Sequence, residues 1–318
     1  MRTYFKISLF IQLPILIITC LINSPSYGNI LHRQAKNTIT PVEMNIGDTL
    51  KFKLHNGQTR TLILLETDAD VIITNLETLK KNQQLGGTLY WFTCKMIIDG
   101  QPMKMARYVG SQESFYEPYV VNGMRIWFDG AAAIFEKGIV SETHGPCKPG
   151  KDARFAITDM TDRICPEPVF SFYDNKENHI DIAQCFEGND CWMGAYNGYD
   201  AHGGLDINLP KSTPNYTPFG IDDHFFTNSL HKGHNNNRWR GTRTWNNGDY
   251  WSIQNNHMLN LLVPENTPIE GGTHYSDASG VYGGYSGGYG GRVDHAHYGF
   301  RIKTLEDEKE ILLDPWIL

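Results

Sequence analysis

Three histidine-bearing segments in the second half of the chain carry the residue types of a zinc site. They are His202-Gly203-Gly204-Leu205-Asp206, His257-Met258-Leu259 and His295-Ala296-His297. Zinc in a hydrolytic site takes neutral imidazoles and a carboxylate in tetrahedral geometry, with one position kept for water. His295 and His297 are two apart, so on a strand both side chains leave the same face. His202 and Asp206 are four apart. On a helix they would share a face, but Gly-Gly followed by Leu-Asp-Ile-Asn-Leu-Pro reads as extended chain. A straight strand would hold them about 13 Å apart at roughly 3.3 Å per residue, too far to share one ion. Gly203-Gly204 can supply the bend that brings them together. A lone HxH is most often a partly exposed strand pair, and a lone HxxxD says less still. Their joint occurrence, with glycines where the geometry needs them, points to a metal.

The order HxGxD, then a histidine followed by Met-Leu, then HxH near the C-terminus resembles the lysostaphin/LytM-type zinc metallopeptidases, which cut peptidoglycan cross-bridges or stem peptides. The resemblance runs from near Asn178 to Leu318. Ala201 to Pro210 is close to the family's first motif. Ser212-Thr213-Pro214 and Tyr216-Thr217-Pro218-Phe219 echo the small-residue turn after it. Pro264 to Gly272 is similar to the strand-turn before the Gly-rich loop, and Leu313 to Leu318 resembles the usual ending. The resemblance implies that His202, Asp206 and His297 hold Zn2+. It implies that His295 and His257 are unliganded histidines that activate water at the metal and stabilise the oxyanion. Such zinc lowers the pKa of bound water to about 7, where a neutral imidazole can take its proton. Three positions depart from the family pattern. HxH is followed by Tyr298-Gly299 rather than aromatic-acid. The middle histidine follows Asn255-Asn256 rather than Tyr-Gly or Tyr-Ala, which leaves His274 as a rival to His257. Gly290-Gly291-Arg292-Val293-Asp294 stands where Ser/Thr-Gly-Pro is usual.

Other chemistries fail on specifics. Gly284-Tyr285-Ser286-Gly287-Gly288 satisfies GxSxG, but a nucleophile elbow needs a strand before it and a helix after it, and neither is visible. A cupin needs a glutamate just beyond HxH, where this chain has Arg301 and Ile302. An α-type carbonic anhydrase needs a further downstream histidine, and none follows His297. His224, His231 and His234 form a second cluster beside Lys232, Gly233 and Asn235–Asn237, and read as an exposed, low-complexity loop rather than a second metal site. The same insertion carries Trp239, Trp245, Tyr250 and Trp251 beside Arg238, Arg240 and Arg243. The aromatics read equally as core beneath the site or as a groove wall, with the arginines offered to acidic stem peptides.

The elements that must position these residues are strands. Leu50 to Leu54 alternates with period two, His55-Asn56-Gly57-Gln58 reads as a turn, and Thr59 to Leu65 resumes extended chain. Val71 to Thr74, Leu89 to Ile98 and Met124 to Phe128 read as further strands, and only Leu76 to Gln84 has a weak helical pattern. The composition shifts near Asp174 to Asn178, beyond which histidine, glycine and asparagine rise; nine of the twelve histidines lie from His179 onward. The expected architecture is all-β: an N-terminal β-sandwich-like domain over residues 29–175, then a β-rich LytM-type metallopeptidase domain with long loops over residues 176–318.

Residues 1–28 read as a secretory signal peptide. Arg2 and Lys6 precede the apolar Ile7 to Ile22, and Ser26-Tyr27-Gly28 supplies small residues for cleavage. A transmembrane anchor is disfavoured by the shortness of the run and by Pro14, and lipidation at Cys20 by the preceding Thr19. Export leaves Cys94, Cys147, Cys165, Cys185 and Cys191. Cys94 reads as a small apolar residue in a strand, while Cys147–Cys165 and Cys185–Cys191 read as loop staples. A net charge of −7 excludes a phosphate-neutralising nucleic-acid binder, and 40% hydrophobic with 12% aromatic residues excludes disorder. No membrane contact is expected beyond the signal peptide. The sequence thus points to an exported zinc metalloendopeptidase acting on peptidoglycan or a peptide. The alternative is a catalytically silent LytM-like module that binds cell wall or regulates a partner hydrolase.

Overall fold

The computed structural model describes residues 28–74, 88–109, 117–136, 149–173, 182–184, 203–231, 233–279 and 295–318; the side chains of Asp206, His231 and His234 lie outside that description. The signal segment, the weak helical pattern at Leu76 to Gln84, the boundary near residue 175 and the Gly-rich run at 280–291 also lie outside it. The fold is all-β.

Five strands form the first sheet, in the order β1 (Ile30–Gln34), β3 (Thr49–Lys53), β4 (Thr59–Thr74), β5 (Thr88–Ile98) and β6 (Gln101–Val109). The sequence suggests two strands over 59–74, but β4 is one strand of 16 residues. Register shifts at Leu65 and Ile72 explain the difference, because each bulge turns an apolar residue outward without ending the pairing with β5. A second sheet has the order β2 (Thr40–Met44), β9 (Ala153–Asp159), β8 (Met124–Ala131) and β7 (Tyr119–Val121). Alternation directs Leu50, Phe52, Leu62, Phe92 and Met96 of the first sheet against Val42, Met44, Ile126, Phe128 and Phe155 of the second, which makes a sandwich core.

The third sheet has the order β10 (Ile182–Gln184), β11 (Leu205–Asn208), β19 (His295–Lys303), β17 (Tyr250–Met258), β16 (Asn237–Thr244) and β13 (Asp223–Thr227), with β20 (Ile311–Leu313) also paired to β19. Two small pairs complete the description, β12 (Pro214–Tyr216) with β18 (His274–Asp277), and β14 (Leu230–His231) with β15 (His234–Asn235). The second sheet is a middle layer. Trp127 and Ala156, with Ile39 just before β2, face away from the sandwich core and pack with Phe219, Trp251, Phe300 and Ile302 under the third sheet.

Buried charge joins the layers. Arg107 on β6 binds Asp314 at 2.7 Å, the Asp314 amide donates to Asp129 at 2.9 Å, and Arg154 binds Asp129 at 2.5 Å. At the other end Lys36 reaches Asp249 at 3.2 Å, and Thr38 donates to the same carboxylate at 2.7 Å. Cys94 and Cys165 are free, buried thiols. The Cys147–Cys165 staple is thus not formed: Cys165 is a free thiol buried in the third sheet's core, and Cys147 lies outside the described residues. Cys185 and Cys191 lie outside the described residues. Among those residues no helix is long and apolar enough to cross a membrane.

Candidate active site

Strand β19 sorts its residues by alternation. Ala296, Tyr298, Phe300 and Ile302 are buried on the back of the sheet, so His295, His297, Gly299 and Arg301 occupy the front. Antiparallel pairing with β11 sets position 206 opposite His297 and position 208 opposite His295. Opposed residues share a face, so position 206 belongs to the histidine face. His202 and the side chain of Asp206 lie outside the described residues. Among those residues no three His, Cys, Asp or Glu side chains gather as a metal set.

Gly204 is required here for clearance rather than for an unusual backbone angle. A Cβ at that position would lie 2.6 Å from His297 Cε1, and closer still to His297 Nε2 and the Tyr298 carbonyl oxygen. The His297 imidazole thus lies directly over the Gly204 backbone. Gly203 has no such neighbour, its nearest contact being Leu312 Cδ2 at 3.8 Å.

His257 joins the histidine face through an irregularity. Strict alternation after Trp251, Ile253 and Asn255 would send residue 257 to the back. Instead Asn237 pairs with Met258 and Arg238 with Asn256, which leaves His257 as the extra residue of a β-bulge. Its φ is +64°, left-handed and uncommon for a non-glycine residue. The bulge re-aims the imidazole toward β19, where its ring lies 4.9 Å from that of His295 and 6.2 Å from that of His297, edge-on to both. His257 Nδ1 lies 2.6 Å from Asn236 Oδ1, and the Ser279 amide donates to the His257 carbonyl at 2.9 Å. His274 is elsewhere engaged: Nε2 binds Asp277 at 2.8 Å and the ring packs on Tyr216 at 5.5 Å.

The back of the sheet holds these strands through buried polar groups. Tyr298 donates to Asn215 Oδ1, and Asn255 donates to the Tyr275 hydroxyl at 2.7 Å. The Tyr275 ring lies tilted against that of Trp239, with centroids 4.2 Å apart. Burial raises the pKa of both phenols, and the neighbouring Tyr275 and Tyr173 raise that of Tyr298 further, so the hydroxyls stay protonated and directional. Trp239, Trp245 and Trp251 all belong to this buried layer. The groove-wall reading of these tryptophans is therefore corrected: they are core, Trp239 and Trp251 through their buried strand positions and Trp245 from the turn between β16 and β17, where it packs on Phe219 and Trp251.

The front face continues away from the histidines through Asn256, Gln254 and Arg301. Gln254 donates to Asn256 at 2.9 Å, and Arg301 donates to Gln254 at 3.2 Å. Burial and the neighbouring Arg240 lower the Arg301 pKa, against an opposing pull from Glu310. Arg240 pairs with Glu310, and Arg243 pairs with Asp222 at 2.6 Å while lying over Trp245. Arg238 is exposed on the same row as Asn256 and His297. His224 is fully buried and its Nδ1 accepts from the Trp239 indole at 3.1 Å, which corrects its reading as an exposed loop residue. Sequence reasoning also missed Asn236 and Tyr298, whose importance depends on which strand lies beside which.

No family model and no curated protein matches the chain. Solved structures do. The catalytic domain of the antimicrobial peptidase lysostaphin from Staphylococcus simulans is 17% identical, over 37% of this chain and 78% of that one, with a TM-score of 0.27. The chain is similar to structures of peptidases. For the longer lysostaphin structure the values are 16%, 36% and 41%, with a TM-score of 0.26, so the chain spans less than half of that protein. A zinc-containing peptidase from Vibrio cholerae is 10% identical over 83% of each chain, with a TM-score of 0.32. The site's own residues carry the functional reading that follows.

Proposed function

We propose that this chain is an exported zinc metalloendopeptidase that cleaves peptide bonds in peptidoglycan cross-bridges or stem peptides. One observation carries the reading: a bulge on β17 delivers His257 to the HxH pair of β19, beside the backbone position of Asp206. The residues fit a zinc ion, because Gly204 leaves free the space at His297 Nε2 that any Cβ would fill. His202, Asp206 and His297 would hold it, and when bound it would polarise a scissile carbonyl and acidify water. His257 and His295 are then the proton-handling pair. A neutral imidazole accepts a proton near neutral pH and, once charged, donates to an oxyanion or a leaving amine. Their edge-on contact fixes one ring against the other, so the proton acceptor does not have to be ordered at the moment of reaction. The polar front face beyond Asn256 would carry the peptide, with Arg238 available to a substrate carboxylate. Export rests on the n-region and apolar run of residues 1–28.

The test is zinc content together with a muropeptide digest read by mass spectrometry, before and after chelation. Wild type should retain zinc and release cross-bridge or stem fragments, with chelation abolishing release. His295→Ala should keep the metal and lose cleavage. Full activity in a metal-free preparation would refute the mechanism, and wall binding without cleavage would favour a silent module.

A further inference from the structure

We propose that Asn236 is a positioning residue that fixes the tautomer and direction of the His257 imidazole; this rests on the peptidase reading of the site. Asn235, Asn236 and Asn237 look like a low-complexity run in sequence, yet the outer pair clamps the strand end that carries His257 while Asn236 holds its ring. Asn235 and Asn237 each donate a side-chain N–H to the Leu259 carbonyl at 3.0 Å, two residues beyond His257. Asn237 Oδ1 accepts from the Ser229 amide at 2.9 Å, and the Asn236 amide donates to the Ser229 carbonyl at 2.8 Å. Thus anchored, buried Asn236 holds its own side-chain oxygen 2.6 Å from His257 Nδ1.

An amide oxygen only accepts, so in the neutral ring Nδ1 carries the hydrogen and Nε2 keeps the lone pair. That is the opposite of the Nε2–H form an unconstrained histidine favours. The selected tautomer leaves a proton acceptor on the ring atom away from Asn236, in a ring that packs edge-on against His295. A bulged residue at φ +64° leaves the regular ladder, so side-chain contacts bear directly on its ring direction. The Asn236 oxygen at 2.6 Å is one that acts on Nδ1 itself. Outer partners of this kind govern both ring orientation and basicity.

The decisive experiment reads the tautomer without relying on catalysis. Long-range 1H–15N spectra of the histidine-labelled full chain, zinc-free and zinc-loaded, identify His257 by comparison with His257→Gln. Wild type should show the Nδ1–H form in both states. Asn236→Asp, which still accepts, should keep it, and Asn236→Leu should move His257 toward Nε2–H. In muropeptide kinetics Asn236→Leu should lower kcat by about 10–100-fold, with KM and zinc content near wild type. Asn236→Asp should restore most of that loss. A wild-type His257 in the Nε2–H form, or an unchanged tautomer in Asn236→Leu, would overturn the proposal whether or not the protein cleaves wall. Should Asn236→Leu not fold, Asn236→Ser and the wild-type spectrum decide the question alone. A wild type with the Nδ1–H form but no cleavage would count against the peptidase reading only.

Discussion

Replacing Gly204 with alanine tests whether the site depends on close approach rather than on chain flexibility. The added Cβ would sit 2.6 Å from His297 Cε1, where ordinary contact begins at 3.4 Å, and nearer still to the Tyr298 carbonyl oxygen. The ring could swing away, but the carbonyl belongs to β19 beside its pairing with β11 and has little freedom. Both adjustments are needed, because Nε2 and the carbonyl crowd the same point. Overpacking of this kind costs about 1–3 kcal/mol, which in a chain of this size lowers Tm by a few degrees. The functional cost is larger, since displacing a site group by about 1 Å can lower a rate roughly 100-fold. Gly203→Ala is the internal control. Its nearest neighbour lies at 3.8 Å, so it should change stability by no more than about 0.5 kcal/mol. Calorimetry, zinc competition against a chelator and muropeptide release should all separate the two variants. Equal behaviour of Gly204→Ala and Gly203→Ala would refute the reasoning.

Four further outcomes are expected. His257→Gly and His257→Ala should both lose cleavage, but the glycine variant should be the more stable by about 1 kcal/mol, the reverse of the usual order in a strand; denaturant titration measures the difference. Arg107→Met should cost about 3–5 kcal/mol by removing the buried cation that pairs with Asp314, and adding Asp314→Leu should recover part of it in the same titration. Burial pushes the Cys94 thiol up to about 12 and that of Cys165 up to about 11, so both should resist alkylation at pH 8 in the native protein and react once unfolded, read by peptide mass spectrometry. Deleting residues 29–173 should give insoluble protein rather than a more active enzyme, because it uncovers Trp251, Phe300 and Ile302; a soluble, monomeric, active fragment would count against the layered packing.

Local pattern made part of this molecule legible. HxH with flanking apolar residues reads as a strand with two imidazoles on one face, and β19 is that strand. The alternation of Leu50 and Phe52 likewise reports a half-buried strand correctly. What local pattern could not supply is adjacency. His224 looks exposed among polar neighbours, yet its burial is set by the Trp239 indole on the neighbouring strand. The tryptophans could be assigned to core only once their face of the sheet was known. The Gly203-Gly204 pair was legible as a bend, and the chain does bend at Gly204, but the need for clearance there was not legible. The requirement at Gly204 comes from His297, which lies far away in sequence.

The same comparison explains why one histidine was harder to place than the others. A regular sheet can bring His295 and His297 to one face at no conformational cost, since alternation does the work. On β17 the regular pairing brings Asn256, not a histidine, opposite His297. Strict alternation would send the next residue along to the core. The bulge brings that residue, His257, to the histidine face with a left-handed backbone, which costs roughly 1 kcal/mol or more unless something holds it. The Ser279 amide and the Asn236 side chain close on that one residue, and Asn235 and Asn237 grip the Leu259 carbonyl two residues on. A left-handed, bulged histidine held at both its carbonyl and its ring is more than a regular strand requires. The irregularity is intelligible as the means of presenting one imidazole to two others.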